Sequence, residues 1–142
     1  MSNPLSSISS SRLGVLSELT LRIIFALLIF SHGEGKFAAL IAEPNTPLRV
    51  VENLALFGDF PVFSSWLAAV LETIVIPVLI LLGGASFLGE KAKNLSTLGG
   101  ILATALMLNI IFNFHVGVLE QGWSEFKYQI SLLAISIYFL FK

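Results

Sequence analysis

The feature that most constrains this chain is residues 21–37, LRIIFALLIFSHGEGKF, an apolar run that ends in a polar cluster instead of in a loop. A basic residue in hydrocarbon costs about 2.5–3.5 kcal/mol on insertion scales, so Arg22, His32 and Lys36 on one membrane-length helix need partners, water or a task. At about 100° per residue, Arg22, Ile29, His32 and Lys36 fall within an arc of about 80°, so one stripe carries the polar groups and should face other helices. Glu34 falls on another face, near the water interface.

Composition sets the class. Of 142 residues, 56% are hydrophobic and 12% charged, against soluble averages of about 45–50% and about 25%. The chain reads as an integral membrane protein, with the lipid bilayer as its first partner. The net charge of −1, with scattered Lys and Arg, offers no basic field for phosphates and excludes nucleic-acid binding. With no cysteine there is no disulfide framework, no cysteine-held iron–sulfur cluster and no thiolate nucleophile. Redox chemistry would need an organic cofactor, a quinone, haem or a partner.

Residues 1–16 are Ser-rich and read as a polar tail ahead of a four-helix domain at 17–142. They resemble a secretory n-region, but the apolar segment is too long for an h-region and no small-x-small site follows, so cleavage is not expected. Four spans are expected at about 18–40, 66–88, 95–115 and 125–141. Thr46 followed by Pro47 signals a helix start, and Leu48, Val51, Leu54, Ala55 and Phe57 recur at helical spacing until Gly58. A short amphipathic surface helix over 47–57 follows. Pro77 should kink the second span, the hydrophilic residues 89–94 should form a hairpin turn, and Ser124 should cap the fourth span.

The fold class is therefore all-α, an up-down-up-down bundle of four transmembrane helices with a short amphipathic helix between the first two. Arg12, Lys91, Lys93 and Lys142 lie on one side, and Lys36, Arg49 and Lys127 on the other. The positive-inside rule then places both termini in the cytoplasm.

Alternating helices bring the end of span one, the start of span two, the end of span three and the start of span four to one membrane face. At the helical rise, His32 lies about 7 Å deep, and Glu72 and Asn109 about 9 Å. Lys36, Asn113, His115, Glu125 and Tyr128 form a shallower rim. One reading is a pocket opening to the outer face, built from His32, Lys36, Glu72, Asn109, Asn113 and His115, with Lys36 or His32 paired to Glu72. The other is that Lys36 and Glu72 only clamp two helices, the asparagines acting as interhelical glue of about 0.6 kcal/mol each. Arg22, about 15 Å away from this cluster along its helix, reads as an interface anchor. Phe126, Phe139 and Phe141 are expected to face lipid or a partner helix.

A two-histidine haem fits poorly because His32 and His115 differ in depth. No metal site is expected either, since His32, His115 and Glu72 lack ligand spacing. The glycines of GGAS and TLGG suit helix packing and turns better than phosphate binding. No inverted repeat supports a transporter.

Taken in order, the first-helix His32-Gly33-x-x-Lys36, FGDFP before the second helix, Glu72 followed by the GG of LLGG, and NFH ending the third helix resemble the DoxX family of small four-helix membrane proteins. The resemblance runs from about residue 21 to the C-terminus. It implies a small subunit associated with a membrane redox complex of the thiosulfate:quinone oxidoreductase or quinol oxidase kind. It also implies a quinone headgroup or small sulfur oxyanion around His32, Lys36, Glu72, Asn109 and His115. Glu34, Pro77 and few glycines near the end of the fourth helix depart from the family pattern. An alternative class is a non-catalytic accessory or assembly subunit that holds other membrane subunits together.

Overall fold

The computed structural model describes residues 12–52, 59–112 and 123–142. Among these the chain is all-helical: α1 Arg12–Ala42, a short α2 Arg49–Glu52, α3 Pro61–Leu82, α4 Glu90–Ile110 and α5 Trp123–Phe141. Two of them, α1 and α3, are long and apolar enough to cross a membrane, and Phe126–Phe141 is a shorter apolar helix.

Each long helix buries one stripe. Phe25 and Ile29 of α1, Ile76 and Ile80 of α3, Ala103 and Met107 of α4, and Leu132 and Phe139 of α5 form one core. Large apolar side chains also cover the outside, among them Ile24, Leu27, Ile74, Val78, Ile101 and Ile137. α3 packs between α1 and α4, and α4 makes its widest contact with α5. Gly100 permits that contact, since a Cβ there would lie 2.6 Å from the Phe139 carbonyl carbon. Small residues at such crossings let backbones approach closely.

Several boundaries differ from the sequence reading, each for a local reason. α1 begins at Arg12: between Arg12 and Glu18 only Gly14 weakens a helix, and Ser17 and Thr20 return their hydroxyls to carbonyls of the preceding turn. α3 starts at Pro61, which suits a first helical turn since its missing N–H is not needed there. It ends at Leu82, where Gly83 and Gly84 take over. The reversal is residues 83–89, not 89–94: the amides of Gly84 and Ala85 bond back three residues, Ser86–Leu88 forms a 3₁₀ turn, and Gly89 adopts φ 54°. That left-handed conformation favours glycine and stops the turn, so Lys91, Lys93 and Asn94 ride on the exposed first turns of α4. α5 begins at Trp123, placing Ser124 inside the helix instead of at its cap.

The irregularity expected at Pro77 lies just ahead of it. Leu71–Val75 is a π turn, in which the Ile76 amide donates to Leu71 O five residues back. Proline cannot donate to the carbonyl four residues before it and crowds it, and a widened turn is one way a helix absorbs this. Of the expected surface helix, Arg49–Glu52 is helical, and residues 53–57 lie outside the described residues. Phe139, expected to face outward, is 0% exposed; its ring lies 5.5 Å from that of Phe25 and beneath the Arg22 guanidinium.

Candidate functional site

Lys36 stands one turn beyond His32 on α1, and Glu72 sits in the π turn of α3. The structure brings Lys36 and Glu72 together. Lys36 Nζ donates to Oε1 and Oε2 of Glu72, each at 2.7 Å, and the carboxylate is fully buried. Gly33 makes room for it. A Cβ on Gly33 would fall 2.5 Å from Glu72 Cβ and 3.1 Å from Oε2, so the carboxylate lies directly on the bare backbone of α1.

His32 takes a secondary place. Its Nε2 is 3.9 Å from Glu72 Oε1, beyond hydrogen-bond range. Its ring lies 6.2 Å from that of Tyr128, whose hydroxyl donates to Leu28 O at 3.1 Å. That contact joins the start of α5 to α1 beside the pair.

The π turn adds a second acceptor at the same residue. In a regular helix the Glu72 carbonyl would receive the Ile76 amide, but that amide goes to Leu71 O. The next regular donor, five residues on, is Pro77, which has no N–H. Glu72 thus carries a buried carboxylate and a backbone carbonyl that lacks both of its helical donors.

Beside this pair is a cleft of about 190 Å³ between α3 and α4. One end is polar, with Lys36, Glu72 and Asn109; the walls are apolar, including Leu67, Leu71, Leu102 and Leu106. Leu48 and Val51 close it beside the start of α3. Val51 is buried, and the Leu48 amide donates to Ser65 Oγ at 2.9 Å while that hydroxyl donates to Pro61 O. The cleft far exceeds the roughly 10–15 Å³ that one water needs. An ammonium has three donors, and Lys36 lines the cleft while two of its donors serve Glu72. The arrangement can therefore present a hydrogen-bond donor and a proton-accepting carboxylate to a molecule lying against apolar walls.

Of the residues expected at the site, Lys36, Glu72 and Asn109 line the cleft and His32 stands behind Glu72. Asn113 and His115 lie outside the described residues. Among the described residues no three His, Asp or Glu side chains converge as metal ligands would.

A second buried charge lies at the other end of the molecule, where the sequence suggested only an anchor. Arg22 is 2% exposed. Its Nε and Nη2 donate to Glu18 Oε1 at 3.1 and 2.8 Å, and Nη1 donates to Ile80 O at 2.8 Å and Ser96 Oγ at 3.1 Å. Lys142 pairs with the other Glu18 oxygen. The Ile80 carbonyl accepts Arg22 because the Gly84 amide, its regular helical partner, bonds to Leu81 O. A cation at a helix C-terminus is also favoured by the helix dipole. Gly83 and Gly84 supply the space: a Cβ on either would come within 2.8 Å of the Arg22 side chain. The available signals were Glu18 four residues before Arg22, and the glycine pair after the second apolar run.

Compared with known protein families, curated proteins and solved structures, the chain matches none.

Proposed function

We propose that the chain is a multi-pass membrane protein of the DoxX type, a small subunit beside a quinone-linked redox complex, with four up-down-up-down spans and both termini in the cytoplasm. The carrying observation is the Lys36–Glu72 pair at the polar end of an apolar cleft. The alternation of spans is supported by contacts at two levels: Arg22 meets Ile80, Ser96 and Phe139, and further along α1 Leu28 and Lys36 meet Tyr128 and Glu72. A membrane setting is supported by apolar side chains on the outer faces of all four long helices, which hydrocarbon tolerates and water does not.

A quinone headgroup fits the cleft. Its carbonyl would accept from Lys36 and its flat ring would lie against leucine walls, while Glu72 holds or exchanges the ammonium's proton. Bound there, a quinone supplies two-electron redox chemistry. A sulfur oxyanion fits less well, because an anion reaching Lys36 would also meet the Glu72 carboxylate.

A second reading is favoured by one observation: Lys36 and Glu72 already satisfy each other through both oxygens, as a clamp between α1 and α3 in an accessory or assembly subunit would. Purification in mild detergent, followed by quinone extraction and identification of bound subunits, separates the two. Quinone is expected with the wild-type chain and is expected to be lost in Glu72→Gln, with partner subunits retained in both. A stable Glu72→Gln protein that keeps its quinone overturns the pocket, and redox partners without quinone favour the accessory role.

A further inference from the structure

We infer that the cleft takes its ligand sideways from the bilayer, between α3 and α4 at Leu67 and Ala105, and therefore selects amphiphiles with an apolar tail over tailless molecules of the same headgroup. The inference rests on the proposed pocket and adds its route and its selectivity.

Exposure within the cleft is graded. Glu72, Val51, Ser64 and Ile110 are buried, whereas Leu67 is 38% exposed and Ala105 is also exposed. The most exposed lining residues thus lie on the flank of two packed helices. Leu48 and Val51 line the helix-end side, where Leu48 is held by its hydrogen bond to Ser65. Between the flank and the Lys36–Glu72 pair every step is apolar: Ala68 and Leu71 on α3, Leu102 and Leu106 on α4. A headgroup seated at Lys36 would leave its substituent running along these side chains to Leu67 and Ala105. An apolar tail concentrates the molecule in the bilayer beside the mouth and stays in apolar surroundings on the way in, whereas a tailless headgroup distributes into water and touches only the inner walls.

The chain has two tryptophans and no cysteine, which makes the test direct. With Trp123→Phe in the background, Trp66 is the only indole, one residue from the mouth. The protein is placed in phosphatidylcholine vesicles and titrated with a decyl-substituted benzoquinone, with tailless benzoquinone and thiosulfate as competitors. The expected result is saturable quenching of Trp66 by the decyl compound, with tailless benzoquinone at least tenfold weaker and thiosulfate without effect. Ala105→Cys labelled with a bulky maleimide should weaken decyl binding tenfold or more. The same label on Phe87→Cys, at the opposite end and 84% exposed, should leave it unchanged. Equal binding of the tailless compound, or unchanged decyl binding in the labelled Ala105→Cys protein, overturns the lateral route; if Glu72→Gln then still abolishes binding, the pocket stands without it. Absence of saturable quenching by the decyl compound overturns both.

Discussion

Among its described residues the molecule holds two buried charged centres, one near each end of the bundle, and they are finished differently. Arg22 is closed by protein: a carboxylate, a backbone carbonyl and a hydroxyl take its N–H groups, Phe139 covers its face, and two glycines fit around its stem. The Lys36–Glu72 pair is as well matched, yet it borders an apolar cleft on one side. A cavity of about 280 Å³ also touches Arg22, but its walls include the Glu18 carboxylate and the glycines that already serve the guanidinium. A buried ion in a helix bundle therefore does not by itself mark a functional site. What distinguishes one is how its remaining hydrogen-bonding capacity is directed.

That contrast can be broken by mutation. Arg22→Ala should have the largest effect, about 3–5 kcal/mol of lost stability, because it strands the Ile80 carbonyl and Ser96 and removes a buried ion from its partner. Thermal unfolding in detergent measures it, and a loss below about 1 kcal/mol would mean that Arg22 is the anchor its sequence position suggested. Gly33→Ala comes next, at about 1–3 kcal/mol, since a methyl group must push Glu72 off α1. It should also reduce quinone retention, and full retention would show that the position of Glu72 is not set there. Smallest is the double replacement Lys36→Met with Glu72→Leu, expected within about 1 kcal/mol of wild type because removing both charges removes both desolvation costs. Quinone should nevertheless disappear from that variant. If it instead unfolds like Arg22→Ala, the pair is a structural clamp of the same kind as the Arg22 centre.

Part of this was legible in residue order. Hydropathy indicates the number of long helices, and depth arithmetic puts Glu72 and Asn109 at one level with His32 slightly shallower and Lys36 on the rim above them, because those steps need only the helical rise and alternating connections. The burial of Arg22 is legible only through Glu18, four residues before it, because its other partners are a carbonyl freed by the way α3 ends at Gly83 and Ser96 across the turn. Phe139 reads as outward-facing because nothing in the fourth apolar run reveals that a guanidinium lies over it. Charge points to a hairpin at residues 89–94, whereas the turn is decided by backbone at Gly83, Gly84 and Gly89. The π turn left no mark except Pro77.

That turn has a consequence for how other chains should be aligned with this one. A π turn holds one residue more than the α-helical turn it replaces, so the halves of α3 before Leu71 and after Val75 are offset from a continuous helix by one position, about 100° of rotation. A chain of the same architecture without the turn should need a single-residue gap between these positions to keep both Ala69 and Ile80 in register. An ungapped alignment would match one half of the helix and turn the other half's inward residues outward. Comparison across α3 is therefore best anchored separately on its two halves, with the carboxylate position assigned by its distance from the preceding half.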